Sequence, residues 1–203
     1  MADVDLAVRP PFVLASASPA RLALLQAAGI EPEVVVSGVD ESAVPACDPA
    51  TLVGRLASAK ALAVARIRPD ALILGCDSVL DLDGESLGRP RDADDARERW
   101  ARMAGRSGTL RTGHCLVHGG TSYAEATATV VHFGRPSPLE LAAYLESGEP
   151  LRVAGAFTID GRGAAYVEAI QGDHGTVVGL SLPALRRLLA RHGVAIHELW
   201  ASP

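Results

Sequence analysis

The sequence predicts an α/β fold built on a mixed β-sheet, and three observations support this prediction. Short apolar runs that are typical of strands alternate with segments of helical periodicity along the chain. Helical segments separate some neighbouring strands, which favours crossovers, and two-residue turns separate others, which favours hairpins. The 203 residues show no internal repeat, low-complexity tract or linker, so we expect a single domain over residues 1–203.

The opening segment predicts a strand, a helix and a second strand. The first strand runs from Phe12 to Ala15 and the helix from Pro19 to Ala28, with Ser18 suited to the N-cap and proline to the first helical position. The β-branched residues of "EVVVSG" then predict a strand that ends at Gly38.

The junction between this first strand and helix contains two residues that capping does not explain. Ser18 and Pro19 suit the start of a helix, but Ser16 and Arg21 have no such role. The N-terminus of a helix that follows a strand offers unpaired N–H groups to an anion. We therefore expect Ser16 and Ser18 to donate hydrogen bonds to an anion there and Arg21 to clamp it through two N–H groups.

The segment "DPATLVGRLASAKALAVARI" predicts a long helix with one lysine at the edge of its buried face. Its apolar positions at helical spacing are Leu52, Leu56, Ala59, Ala63 and Ile67. Lys60 is the only lysine among 19 basic residues. A single lysine in a chain that otherwise uses arginine indicates a position that requires a compact ammonium rather than a guanidinium, although chance explains one lysine equally well.

The remaining elements follow from turn and capping signals. A buried strand in "ALILGCDSVLDLDGE" leads to a hairpin at Asp83-Gly84, and two long strands meet at Gly119-Gly120. We expect helices from Asp92 through Met103, from the capping box at Ser137 to Gly148, and from about Leu182 to His192. The segment "LRVAGAFTIDGRGAAYVEAI" is predicted to be extended.

Composition limits the class of protein and its partners. The net charge of −5 argues against a nucleic-acid partner, and no run approaches the roughly 20 apolar residues of a membrane helix. No leader-like segment is recognised, and Cys47, Cys76 and Cys115 show no ligand spacing. We therefore expect a cytoplasmic protein without nucleic-acid or membrane partners, in which an anionic ligand meets a local basic cluster.

Two acidic and three basic residues together suggest phosphate chemistry. Asp77 follows the apolar run "ALILGC", which places it at the end of a buried strand, where α/β proteins gather ligands. Asp77 and Glu41 could hold one Mg²⁺, while Arg21, Lys60 and Arg89 neutralise a polyphosphate. Water activated near Asp77 could then attack phosphorus. Taken singly, Asp77 could instead shape a turn and Glu41 could be a solvated loop acid.

The order of short motifs resembles the Maf family of nucleoside triphosphate pyrophosphatases, housecleaning enzymes earlier discussed as septum-formation inhibitors. The motifs are "LASASPAR", "VDES", "SAKA", "GCDSV", "GESLGRP", "MAGRSG", "SGEPLRVAGAF" and "VVGLSLP", between about Phe12 and Leu189. The resemblance implies an elongated mixed sheet flanked by helices, related to inosine triphosphatases, with two lobes around a central cleft as an alternative to one undivided body. It implies hydrolysis of a nucleoside triphosphate to the monophosphate and pyrophosphate, and a homodimer.

The resemblance also implies roles for individual residues. Ser16 and Arg21 match residues of the first loop that contact phosphate, Lys60 matches the lysine that binds the triphosphate, and Arg89 stands where most members have lysine.

Two further positions match the family's acidic residues. Glu41 matches the acid linked to a divalent metal, Mg²⁺ or Mn²⁺, and Asp77 matches the proton acceptor, which would also lie near the metal.

Three departures from the family pattern bear on the substrate. Ala20 replaces the first arginine of "SPRR", Val153 replaces the lysine of "DKAG", and Asp160 replaces the glutamine of "YGIQG". A carboxylate only accepts hydrogen bonds, so Asp160 suits the N1–H and amino group of guanine better than a pyrimidine edge. Alternatively, Asp160 only shapes its turn before Gly161. The preferred base and sugar stay open.

A second function class remains open at this point. Ala20 and Arg89 depart from the family pattern, which favours a nucleotide-binding regulator of cell division with little or no hydrolysis. Glu41, Lys60 and Asp77 match it, which favours an enzyme, because binding alone does not require a residue that activates water.

Overall fold

A seven-stranded mixed β-sheet forms the centre of the molecule, as the computed structural model shows for residues 10–45 and 47–201. The predicted α/β class with helices around a mixed sheet is confirmed. The strands are β1 (Phe12–Leu14), β2 (Glu33–Val34), β3 (Leu72–Leu82), β4 (Glu85–Leu87), β5 (Ser107–His118), β6 (Thr121–Phe133) and β7 (Val167–Gln171).

Six α-helices surround this sheet in the described part of the chain. They are α1 (Pro19–Ala27), α2 (Pro49–Ala65), α3 (Ala93–Met103), α4 (Pro138–Glu146), α5 (His174–Val178) and α6 (Leu182–Arg191). Within the same residues, no helix combines the length and apolar character that crossing a membrane requires.

The sheet combines a short parallel part with a long antiparallel part. Its strand order is β2-β1-β3-β5-β6-β7, with β4 paired to β3. β1 is parallel to β2 and β3, because helical connections return the chain to the same end of the sheet. The remaining pairs are antiparallel, and the predicted turns at Asp83-Gly84 and Gly119-Gly120 close two of them.

Helix α2 packs on the sheet through a different stripe from the one the apolar spacing predicts. Of the predicted face only Leu56 is buried, and Ile67 is 65% exposed. The buried positions of the helix are Pro49, Val53, Leu56, Ala57, Ala61 and Val64. The predicted stripe and the observed stripe both contain Leu56 and several small residues. The prediction failed because the apolar spacing alone does not distinguish which of these small residues face the sheet.

Two glycines let α2 lie directly against the strands. A β-carbon at Gly75 in β3 would collide with the carbonyl oxygen of Ala57, and one at Gly113 in β5 would collide with that of Val53. Small residues on both sides of the contact therefore bring the helix backbone close to the sheet. This close approach places Lys60, one position before the buried Ala61, above the middle of β3.

The second strand is shorter than predicted. β2 ends at Val34 rather than Gly38, and Val36 is 63% exposed. Its partner in the described part of the chain, β1, ends at Leu14, which pairs with Val34 and accepts one further hydrogen bond from the N–H of Val35. Beyond this bond β1 offers no strand for residues 36–38 to pair with.

Asp77 does not lie at the end of a strand as predicted, because β3 continues to Leu82. The parallel neighbour β1 ends at this level instead. Leu14 pairs with Leu74, and the N–H of Ala15 still bonds to the carbonyl of Leu74. Beyond this point β1 no longer pairs with β3. Residues that follow β1, such as Ser18, instead line a cavity together with Asp77.

The later elements agree with prediction except for one segment. Helices α3 and α6 and the capping box of α4 between Ser137 and Glu140 are confirmed. Residues 150–166 are mainly 3₁₀ turns rather than extended, and only β7 after them is a strand. The turns follow from glycine conformations such as that of Gly155, whose φ is +70°.

Apolar side chains form separate clusters toward the two ends of the long strands. One cluster centres on Trp100 of α3 and includes Leu80 and Phe133. At the other end, clusters on the two faces of the sheet include Leu74 and Ile73. Asp77 lies between these ends on β3.

Candidate active site

A cavity of about 860 Å³ brings together most of the predicted site residues. We call it the reaction cavity. The predicted site residues that line it are Arg21, Glu41, Lys60, Asp77, Arg89 and Asp160. Ser16 is not part of this lining, although it contacts Arg21.

The centre of the reaction cavity is an ammonium between two carboxylates. Lys60 Nζ lies 2.6 Å from Asp77 Oδ1 and 2.7 Å from Glu41 Oε1. The side chains of Lys60 and Asp77 are 12% and 10% exposed, whereas that of Glu41 is 59% exposed. Helix α2, strand β3 and the 3₁₀ turn at Glu41–Ala43 therefore each contribute one charged group.

Burial changes the acid–base properties of Asp77. Desolvation raises the pKa of its carboxyl above the usual aspartate value, and the charge and hydrogen bond of Lys60 oppose this rise. Arg21 also lowers the pKa, while Glu41 raises it. The balance leaves Asp77 a stronger base than an exposed aspartate.

Arg21 is committed to contacts inside the protein. It is 9% exposed, and its guanidinium has five N–H groups. Nε donates to Gly179 O at 2.7 Å, Nη1 to Ser16 Oγ at 3.0 Å and Cys76 O at 2.9 Å, and Nη2 to Ser78 Oγ at 3.1 Å. One N–H on Nη2 is left, so this arrangement does not present the bidentate clamp that we expected from the sequence.

The two serines of the first loop also bond within the chain. Ser18 Oγ accepts from the backbone N–H of Arg21 at 3.4 Å, which confirms its predicted N-cap position. Ser16 Oγ accepts from the N–H of Ser18 at 3.2 Å as well as from Arg21. Each hydroxyl hydrogen remains available for donation, so the anion contacts expected of Ser16 and Ser18 stay predictions.

Arg89 and Asp160 lie at the solvent side of the reaction cavity. Both residues are exposed. Neither side chain forms an ion pair or a hydrogen bond with another residue in the described part of the chain. Both groups therefore face the reaction cavity with their hydrogen-bonding capacity unused.

Sequence reasoning missed the apolar wall of the reaction cavity. Its apolar lining includes Val79, Leu110, Phe157 and Val177. Phe157 and Leu110 also belong to the cluster around Trp100, so the wall is the side of that core that borders the cavity. No sequence signal separates such residues from ordinary core positions, because only the folded chain shows which core edge faces a cavity.

Glu41 and Asp77 fit a divalent metal that substrate oxygens complete. Both carboxylates contact the same ammonium nitrogen, so their oxygens converge on one small region. Mg²⁺ characteristically takes one or two carboxylates together with phosphates and water. Among residues 10–45 and 47–201, no group of three or more His, Cys, Asp or Glu could enclose a metal without such help.

Comparison with known proteins gives one family and a consistent set of relatives. A family model described as Maf-like protein matches residues 11–192. A protein from Streptomyces coelicolor is 59% identical over 198 residues, covering 95% of this chain and 96% of that protein. One from Nocardia farcinica is 56% identical over 206 residues, covering 95% and 97%. Both are named nucleoside triphosphate pyrophosphatase.

Proposed function

Since this chain belongs to the Maf-like protein family, we propose that it hydrolyses nucleoside triphosphates to the monophosphate and pyrophosphate. The observation that carries this proposal is the contact between Lys60 and the buried Asp77 at the centre of the reaction cavity. Nucleotide binding alone does not require a carboxylate of raised basicity next to a cation. Hydrolysis requires both, because a base takes a proton from the attacking water and a positive charge stabilises the phosphates.

Asp77 acts as the general base in this proposal. The oxygen of a water molecule forms a bond to the phosphorus atom that stays in the monophosphate. At the same time a proton of this water passes to the Asp77 carboxylate. The bond from phosphorus to the bridging oxygen breaks, and its electron pair leaves with pyrophosphate. In the metal-free protein, burial raises the pKa of Asp77, and this direction suits the role because a base works best when its pKa lies nearer the working pH.

Cationic groups stabilise the negative charge on the phosphates. Lys60 supplies a compact ammonium beside the base, and the Nη2–H of Arg21 that is left can donate to one phosphate oxygen. Arg89 has its whole guanidinium available at the solvent side of the cavity. These groups replace the bidentate Arg21 clamp that we expected from the sequence.

A divalent metal completes the proposed site. Glu41 and Asp77 would hold Mg²⁺ or Mn²⁺ together with substrate oxygens. When bound, such an ion supplies charge neutralisation to the triphosphate. The Lys60 ammonium already lies between the two carboxylates, so it keeps them close to one another in the absence of the ion.

The base preference rests on Asp160. Its carboxylate lines the reaction cavity and can only accept hydrogen bonds when ionised. A guanine edge presents two neighbouring donors, so we propose a guanine or modified guanine nucleotide ahead of a pyrimidine. We further propose that the protein removes non-standard nucleotides in the cytoplasm and acts as a homodimer, as the family resemblance implies.

The test is hydrolysis of UTP, CTP, dTTP, GTP and 7-methyl-GTP with Mg²⁺ or Mn²⁺, with pyrophosphate and orthophosphate measured separately. We expect pyrophosphate release, with a guanine nucleotide preferred. A preference for pyrimidines would contradict the role of Asp160 in selecting the base but would still support the pyrophosphatase activity. Turnover without added metal, after treatment with a chelator, would contradict the proposed ion. Absence of turnover with every triphosphate would favour the nucleotide-binding regulator.

A further inference from the structure

A second, smaller cavity of about 420 Å³ adjoins the reaction cavity. The two share Ser18, Ala20, Arg89, Arg152 and Val153 in their linings, so they are parts of one continuous opening. The smaller cavity lies between the start of α1 and the turn that follows α4. We call it the distal pocket.

Arginine dominates the charge of the distal pocket. Arg89, Arg152 and Arg162 line it, and none of them belongs to an ion pair within the residues that the structure describes. Arg152 uses only Nε inside the protein, on Gly148 O at 3.3 Å, so its two terminal nitrogens are available. In a chain of net charge −5, three uncommitted guanidinium groups around one cavity form a local site for an anion.

One acidic residue, Glu149, lines the distal pocket in the described part of the chain, and its carboxylate bonds to neighbouring loop residues. Glu149 Oε1 accepts from Thr158 Oγ1 at 2.5 Å and from the N–H of Gly163 at 3.0 Å, and Oε2 accepts from the N–H of Arg162 at 3.1 Å. The carboxylate therefore fixes the loop that carries Arg162 to the turn that carries Arg152. It holds two of the arginines in position and does not pair with their guanidinium groups.

The lining of the two cavities indicates which part of a nucleotide each can take. The reaction cavity has an apolar wall with an aromatic ring, Phe157, and the acceptor Asp160, which suit a base. Among the residues that the structure describes, none of those lining the distal pocket is aromatic, and the apolar ones are Pro19, Ala20 and Val153. Three guanidinium groups around a small space without an aromatic ring suit phosphate oxygens better than a base.

We propose that the distal pocket binds the phosphates beyond the scissile bond and holds them as inorganic pyrophosphate after cleavage. This inference rests on the proposed function and adds the position of the leaving group to it. From Lys60 and Asp77 the phosphate chain passes Ser18 and Arg89, which both cavities share, toward Arg152 and Arg162. The guanidinium groups neutralise the charge that develops on pyrophosphate as the bridging bond breaks.

The experiment measures binding of inorganic pyrophosphate by calorimetry to the wild type and to two double variants. Arg152→Ala/Arg162→Ala removes two pocket charges. Arg55→Ala/Arg66→Ala is the matched control, because it removes two exposed charges, one on α2 and one directly after it, that line neither cavity and have no side-chain partner among the described residues. We expect the pocket variant to bind pyrophosphate at least about tenfold more weakly, from the loss of charge-assisted hydrogen bonds, and the control to bind within about twofold of the wild type.

The outcomes separate this inference from the proposed function. Equal pyrophosphate binding by the wild type and both variants, or none by the wild type, would overturn the distal pocket even if triphosphates are hydrolysed. Equal weakening in both variants would also overturn it, since a general loss of charge would then explain the effect. Selective weakening in a protein that hydrolyses no triphosphate would support the pocket as a pyrophosphate site while the proposed function fails.

Discussion

Lys60 of α2 donates a hydrogen bond to Asp77 of β3 across the contact between helix and sheet, with 2.6 Å between Nζ and Oδ1. This contact depends on Gly75, two residues before Asp77, because the absence of a side chain there allows α2 to lie against the strand. The ammonium compensates part of the desolvation that raises the pKa of Asp77. The packing of small residues and the chemistry of the site are therefore linked.

The first prediction concerns the base. Asp77→Asn keeps the size of the side chain but removes its ability to accept a proton, so we expect kcat to fall by about 10²–10⁴ while nucleotide binding persists. Steady-state kinetics and calorimetry with a triphosphate measure the two effects. Asp70→Asn, at an exposed position that lines neither cavity, is the control and should keep wild-type turnover. Wild-type turnover in Asp77→Asn would contradict the mechanism.

The second prediction concerns the close approach of α2. Gly75→Ala should lower the free energy of unfolding by about 1–3 kcal/mol or more, because the new methyl group meets the carbonyl of Ala57. It should also lower kcat/KM, since moving the helix outward withdraws Lys60 from Asp77. Gly54→Ala, within α2 itself, places its methyl group in open space and should stabilise by up to about 1 kcal/mol. Urea unfolding checks both, and equal stability of the two variants would refute the packing argument.

The third prediction concerns acid stability. Burial, with a smaller effect from the charge of Arg21, lowers the pKa of His114 from 6.5 to about 4. The unfolded chain therefore binds a proton that the folded chain rejects between these values, and stability is lost as the pH falls from 6.5 to 4. The loss attributable to His114 is about 3 kcal/mol.

His114→Gln tests this origin of the pH dependence. Its amide oxygen can replace Nε2 as the acceptor for the N–H of Ser181, while it removes the titrating group. The free energy of unfolding should therefore fall less steeply between pH 6.5 and 4 than in the wild type. The exposed His174 provides the control as His174→Gln, which should keep the wild-type slope. Identical slopes in all three proteins would exclude His114 as the source.

Local signals predicted the elements that local chemistry determines. The capping box at Ser137, the N-caps at Ser18 and Asp92 and the turn at Asp83-Gly84 all depend on residues close in sequence, and all are confirmed. The fold class followed from the alternation of such elements. Asp77 was indicated by the apolar run before it, because a carboxylate in apolar surroundings requires a partner. The exposed Glu41 and Arg89 were identified through the resemblance to the Maf family, and the catalytic and binding roles of these residues stay predictions.

Contacts distant in sequence explain the predictions that failed. The length of β2 depends on where β1 ends, and the buried face of α2 depends on Gly75 in the strand beneath it. Arg21 contacts Gly179, which lies far along the chain, so its internal role could not be predicted from the strand–helix junction that contains it. The arginines of the distal pocket likewise come from separate segments that only the folded chain brings together.

The last prediction distinguishes an internal arginine from one that faces the cavity. Arg21→Met removes the donors that satisfy the carbonyl oxygens of Cys76 and Gly179 and the hydroxyl of Ser78. Because unsatisfied buried acceptors cost about 1–3 kcal/mol each, we expect the ligand-free variant to lose several kcal/mol of unfolding free energy. Arg89→Met removes an exposed side chain without internal bonds among the described residues, so its stability should stay within about 0.5 kcal/mol of the wild type while KM rises.

Urea unfolding without nucleotide, followed by kinetics of each folded variant, measures both effects. Where Arg21→Met does not fold, Arg21→Lys keeps the charge but offers its donors from one nitrogen, which cannot reach acceptors on β3 and at Gly179 together. It should therefore be destabilised as well, although it retains a cation beside the cavity. A variant of Arg21 with wild-type stability and only weakened nucleotide binding would show that this arginine binds the phosphates, as its match to the Maf family motif implies, and that its internal bonds contribute little.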